Sequence, residues 1–176
     1  NFLKKKNNIF NKKIDLILKL GVGTPSLFIE TDPLRLQQVL TNLLDNAFKF
    51  TDSGFIEFGY QLQEKTSKPY IKFYVKDSGI GLTKDEQKII FNRFTKVENK
   101  STKLYRGAGL GLAICKNIVN LLDGEIYVES EVNHGCTFYF SLPLKIASSQ
   151  SDTSKTSKMN SLDFNWNGKT LLVAED

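Results

Sequence analysis

The stretch PLRLQQVLTNLLDNAFK, Pro33 to Lys49, reads as a helix with two faces that need different surroundings. Asp32 as N-cap and Pro33 at the first helical position start it. At 3.6 residues per turn, Leu36, Leu40, Leu43, Ala47 and Phe50 fall on one apolar stripe, which needs a core to cover it. Asn42, Asn46 and Lys49, at i, i+4 and i+7, share another face. A solvated polar face is the ordinary reading of such residues. The rest of the chain must say what two amides and an amine in line are for.

The partner for the apolar stripe is a sheet. Ile14 to Leu20 alternates Ile14, Leu16, Leu18 and Leu20 as a strand does, and LFIE suggests a short strand before the helix. FIEFGYQL places Ile56, Phe58, Tyr60 and Leu62 on one face, and YIKFYVKD places Ile71, Phe73 and Val75. EIYVESEV and CTFYFSL contribute Ile126, Val128, Phe138, Phe140 and Leu142. Thr83 and Glu86 form a capping box for a short helix ending near Phe91. Residues 95–108 are polar and aperiodic, as in a mobile loop, and a helix resumes over Gly109 to Leu122. The expected fold is α+β, a two-layer sandwich of one mixed, mostly antiparallel sheet with helices on one face and a wetter opposite face.

Composition removes other classes. No apolar run is long enough to span a membrane, and no signal-peptide pattern opens the chain. Cys115 and Cys136 sit in apolar surroundings without metal-ligand spacing, as buried free thiols in a reducing cytoplasm do. The net charge of +5 raises the question of nucleic acid. Its lysines are scattered, and the group Lys96, Lys100, Lys103 and Arg106 suits a polyphosphate or an acidic partner equally well.

Two glycine-containing stretches suggest a ligand. In Asp77-Ser-Gly-Ile-Gly81, alternation turns Asp77 toward the core, where a carboxylate needs donors. Gly79 and Gly81 permit a sharp turn and close backbone approach. A buried carboxylate beside a backbone-lined slot suits a flat heterocycle with an amino group, such as adenine, although an ordinary Asp-Ser-Gly turn has the same residues. In Arg106-Gly-Ala-Gly-Leu-Gly-Leu-Ala-Ile114, a glycine-rich loop opens a helix whose free N–H groups suit phosphate. It lacks the Gly-Lys-Ser/Thr of a Walker loop and the preceding strand of a dinucleotide fold. Phe91 and Phe94, in Ile90-Phe-Asn-Arg-Phe94, serve either as lid anchors or as core.

The order of these stretches resembles the catalytic and ATP-binding domain of bacterial sensor histidine kinases, in the gyrase, heat-shock chaperone and mismatch-repair superfamily. NLLDNAFKFT resembles the N box, DSGIGL the G1 box, IFNRF the F box and RGAGLGLAI the G2 box. The resemblance covers residues 14–144 and implies the Bergerat-type ATP-binding fold. It implies ATP and Mg²⁺ as cofactors, with Asn46 as the metal ligand, Asp77 on the adenine amino group and Lys49 near phosphate. Asn42 stands where the superfamily's ATPases carry a glutamate base; an amide cannot take a proton from water, which favours phosphotransfer over hydrolysis. The resemblance adds Gly79, Gly81, Phe91, Phe94, Arg106, Gly107, Gly109, Leu110 and Gly111 to the nucleotide contacts. Lys96 stands where arginine is frequent, keeping the charge without the bidentate fork. Arg106 and Ala108 replace residues that are commonly Gly and Thr or Ser.

The expected partners follow from what these residues lack. His134, the chain's one histidine, lies in a turn and has no His-Glu-x-x-x-Pro surroundings. The phosphoacceptor is therefore expected on a dimerisation domain of the same parent, a homodimer, with residues 1–13 as its connection. Residues 145–167 read as a Ser/Thr/Lys linker. GKTLLVAED, residues 168–176, resembles the first strand of a receiver domain cut short, and implies a hybrid kinase whose receiver carries the phospho-accepting aspartate. The parent is expected in the bacterial inner membrane, with this domain in the cytoplasm and no direct contact with nucleic acid. A nucleotide-gated module without phosphotransfer remains the alternative.

Overall fold

The computed structural model describes residues 12–19, 29–63, 69–95 and 108–144. Of the expected connection over 1–13, residues 1–11 lie outside the described residues, and Lys13 already belongs to a strand; residues 96–107 of the expected loop over 95–108, the linker over 145–167 and the receiver strand over 168–176 lie outside them too.

Strands β1 (Lys13–Lys19), β2 (Ser53–Gln63), β3 (Tyr70–Asp77), β4 (Glu125–Glu131) and β5 (Gly135–Pro143) form one sheet in the order β1-β2-β3-β5-β4. The helices are α1 (Pro33–Phe50), α2 (Lys84–Ile89) and α3 (Gly111–Leu121). β1 and β2 are parallel and every other pair is antiparallel. Parallel neighbours require a crossover, and α1 supplies it.

Strand alternation sets the core. Ile71, Phe73 and Val75 on β3 stand opposite Leu142, Phe140 and Phe138 on β5. The Phe73 and Phe140 rings stack at 4.8 Å. Against them α1 lays Val39, Leu43, Ala47 and Phe48, and α3 lays Ala113, Cys115, Ile118 and Val119. Leu36, Leu40 and Leu44 are half-buried around that centre. The other face presents the residues of opposite parity. Tyr139 and Tyr127 stack there at 4.8 Å, with the Lys72 ammonium 5.0 Å from the Tyr139 ring centre. The α+β two-layer architecture with a wetter second face is thus the one expected.

Several boundaries differ for local reasons. The buried stripe of α1 is centred on Val39 and Phe48 rather than running on to Phe50. Phe50 ends the helix, since the next residue, Thr51, turns extended at φ −112°, ψ 121°. Its half-buried ring meets the Lys49 ammonium at 4.8 Å instead of entering the core. α3 starts at Gly111, not Gly109, because Gly109 has φ +70° and cannot join a right-handed helix. α2 ends at Ile89, before Phe91. Of LFIE, Ile29 makes only an isolated bridge, and residues 27–28 lie outside the described residues. The starts of α1 and α2 are as expected. Asp32 accepts from Leu34 and Arg35 N–H at 2.9 and 3.0 Å, and Thr83 with Glu86 completes the capping box.

A one-faced core predicts unequal neighbours. Phe140→Ala removes a ring that is 1% exposed and should cost about 3–5 kcal/mol. Tyr139→Ala, on the open face, should cost about 1 kcal/mol. Urea unfolding of both variants checks this; equal losses would contradict the layering.

Candidate nucleotide site

The site begins with the charge at the end of β3. Asp77 is 3% exposed, and its Oδ1 accepts from Gly79 N–H at 2.9 Å and Cys136 N–H at 3.3 Å. Burial outweighs these two donors and pushes the carboxyl from 3.8 up to about 6. Among the described residues both hydrogen bonds fall on Oδ1, so Oδ2 remains for a donor from outside the fold.

The loop after Asp77 is fixed on three sides. Ser78 Oγ accepts from Phe55 N–H at 2.9 Å, and Ser78 N–H donates to Phe55 O at 3.1 Å. Ile80 N–H donates to Phe50 O, and Asn133 N–H donates to Ile80 O. Leu82 N–H donates to Ser130 Oγ at 2.7 Å, while Gln87 Nε2 bridges Leu82 O and Ser130 O. This packing changes the reason for the glycines. A Cβ on Gly79 would run into Phe50 O, and one on Gly81, at φ +70°, into Glu131 O. The protein's own backbone fills that space, so the fold demands these glycines before any ligand does.

The glycine-rich stretch divides similarly. Gly109 has φ +70°, and a Cβ there would stand 2.8 Å from Thr95 O and about 3 Å from Phe94. Phe94 N–H donates to Gly109 O at 2.9 Å, so residues 94 and 109 are tied together. Gly111 is different. A Cβ on it would meet nothing nearer than Asn42 Oδ1 at 3.7 Å, and no positive φ requires glycine there. Among the described residues, therefore, nothing crowds the first turn of α3, where the N-cap residue Leu110 makes no side-chain cap hydrogen bond.

α1 brings its polar residues to this region unequally. Asn42 faces Gly111, and its amide bonds the Cys115 thiol, which burial raises to about 11. Asn46 and Lys49 are half-buried further along the helix. Phe91 packs edge-on against Phe138 at 6.2 Å and so belongs to the core margin. Phe94 is 72% exposed with φ +63°. Lys96, Arg106 and Gly107 lie outside the described residues. His134 is exposed, with Nδ1 3.1 Å from Val132 O, although its turn is the one that touches Ile80. Sequence reading missed Cys136 N–H, Ser78, Ser130 and Gln87 as supports of the Asp77 loop. The Asp-Ser-Gly turn pattern could have signalled Ser78; no local pattern marks Cys136, Ser130 or Gln87.

A model of the family described as histidine kinase-, DNA gyrase B- and HSP90-like ATPase matches residues 31–146. The autoinducer 2 sensor kinase/phosphatase LuxQ of Vibrio vulnificus is 37% identical over 150 residues, covering 84% of this chain and 18% of that protein. Hybrid signal transduction histidine kinase L of Dictyostelium discoideum is 43% identical over 137 residues, covering 77% and 8%. The chain therefore spans less than a fifth of these relatives. Among solved structures, full-length ShkA in complex with AMPPNP aligns with a TM-score of 0.66 at 28% identity, over 82% of this chain and 30% of that one. The catalytic domain of histidine kinase ThkA aligns at 0.64 and 28%, over 81% and 87%. The chain belongs to the histidine kinase-, DNA gyrase B- and HSP90-like ATPase family, as an ATP-binding catalytic domain of the sensor histidine kinase kind.

Proposed function

We propose that this domain binds ATP with the adenine amino group on Asp77 and the phosphates between α1 and the first turn of α3. The γ-phosphate then passes to a histidine on a dimerisation domain of the parent. The observation that carries this reading is the buried Asp77 carboxylate, whose protein donors share Oδ1 and leave Oδ2 for one more. Adenine offers an N–H donor there; guanine offers a carbonyl oxygen, which a carboxylate repels. The open space beside Gly111 and Asn42 supports the phosphate end, since the helix N-terminus favours anions.

Asn46 is the residue we assign to Mg²⁺. Among the described residues no cluster of three His, Cys, Asp or Glu could hold a metal. One amide oxygen suits an ion whose other ligands are waters and phosphate oxygens. When bound, the ion supplies charge neutralisation between phosphates. Lys49 adds a point charge, as Lys96 and Arg106 would from the lid. Transfer breaks the bond between the γ-phosphorus and its bridging oxygen, forms a phosphorus–nitrogen bond on the acceptor imidazole and releases ADP. This chain's part is positioning and charge. Asn42 provides no base for water.

The whole-protein assignments belong to the same proposal. Residues 1–13 lead in from the dimerisation domain, 145–167 form a linker, and 168–176 open a receiver. The names of the hybrid kinase relatives support that arrangement. The parent is a homodimer, and we place it at the bacterial inner membrane. Among the described residues no helix is long and apolar enough to cross a membrane.

Incubation with γ-labelled ATP and the parent's dimerisation helices should give acid-labile label on those helices and none on His134. Nucleotide binding without transfer would instead favour a nucleotide-gated module.

Asp77→Asn should separate stability from function. The folded carboxyl titrates at about 6 and the unfolded one at 3.8, so its contribution is most favourable below pH 3.8 and is lost as pH rises through 6. At neutral pH the native charge destabilises the empty domain by at most roughly 3 kcal/mol. The variant should therefore raise the urea midpoint while weakening ATP binding about 10- to 150-fold. In the native chain ATP affinity should drop about tenfold between pH 7 and 5, as protonation empties the competent form. The variant should lose most of that dependence. A less stable Asp77→Asn chain with native ATP affinity would contradict the assignment.

Gly111→Ala tests the phosphate end. Alanine suits a helix better than glycine, so the fold should gain about 0.4–1 kcal/mol while ATP affinity declines and adenosine affinity stays. Unchanged ATP binding measured by calorimetry would move the phosphates elsewhere.

A further inference from the structure

Lys12 is a buried cation that the nucleotide reading does not use. Its side chain is 8% exposed, and it lies immediately before β1. Its Nζ donates to Phe48 O at 2.9 Å, Lys49 O at 3.4 Å and Thr51 O at 2.8 Å. It also pairs with Asp52 at 3.3 Å and stands 5.0 Å from the Phe48 ring centre. The carbonyls at the end of a helix have no partners within it, and a lysine offers three donors and a positive charge to the negative end of the dipole. The remaining carbonyl of this group, Phe50 O, accepts from Ile80 N–H at 3.3 Å in the loop that follows Asp77. Among the described residues two outside elements thus meet one helix end: the residue just before β1 and the Asp77 loop.

That end of α1 carries two groups that the nucleotide reading uses. Lys49 lies in the last turn, and the Asp77 loop hangs from the next carbonyl along. We infer that Lys12 is a positioning residue for the nucleotide site, holding the Lys49 turn and the Ile80 anchor in one register. This inference rests on the nucleotide reading above. It reaches further, because it makes the entry to β1 part of what sets ligand affinity. A shift at Lys12 would reach both Lys49 and Asp77 through backbone contacts alone.

Lys12→Gln in the full chain keeps a polar end but loses the charge and the reach to three carbonyls. Calorimetry with ADP, at a temperature where both chains are folded, should show affinity about tenfold weaker in the variant. Hydrogen exchange at the Ile80 amide should be faster, and Lys12→Arg, which restores a cation, should recover most of both. Sucrose can be added to keep the variant folded if its stability drops too far. A lysine that only stabilises the fold would lower the melting point and leave the affinity of folded protein unchanged. Native ADP affinity in folded Lys12→Gln, or native exchange at Ile80, would therefore overturn this inference alone. A native chain that failed to bind ADP would overturn the nucleotide reading and this inference together.

Discussion

Asp77 carries a charge to the floor of an apolar layer, and two backbone N–H groups on one oxygen do not offset the loss of water. The surroundings follow from that constraint. One of the donors, Cys136 N–H, requires β5 to begin beside the end of β3. The other requires the chain to turn back at Gly79, which brings the loop against the end of α1. The turn between β4 and β5 closes the third side through Asn133 and Ile80. A protein with no use for the carboxylate would be more stable with a neutral residue there. That retained cost is what the proposed adenine contact would explain.

The glycines fall into two kinds. Gly79, Gly81 and Gly109 have protein atoms where a side chain would begin, so the fold fixes their identity. Among the described residues nothing stands within 3.7 Å of a Cβ on Gly111, and its backbone is ordinary, so the described fold would accept alanine. In the proposed site a phosphate would take the place of a side chain at Gly111. Among the described residues Asn42 is the near neighbour of that position, which places the first amide of the α1 polar face beside the first turn of α3.

Much of this was legible in the chain because it depends on short-range periodicity. Period-2 alternation put Phe73, Val75 and Asp77 on one face, and the Asp32-Pro33 pair gave the start of α1. The exit from α1 was less legible. A stripe of 3.6 period gives no notice that Thr51 turns extended and takes Phe50 out of the core. Contacts between residues far apart were beyond such reading. Cys136 donates to a side chain 59 positions earlier, and Lys12 reaches carbonyls 36 to 39 positions later. Nothing local marks either residue, because each is specified by the pairing of whole strands and helices.

We propose that Asp77 is a charged acceptor for the adenine amino group, held near its ionisation point in the empty domain. Carbon-13 titration of the Asp77 carboxyl by nuclear magnetic resonance tests it most directly. The midpoint should be about 6 in the free chain. Saturating ADP should move it well below that value, because the amino-group donor favours the charged form. A carboxyl that titrates at its ordinary value, or one that ADP leaves unmoved, would contradict the account.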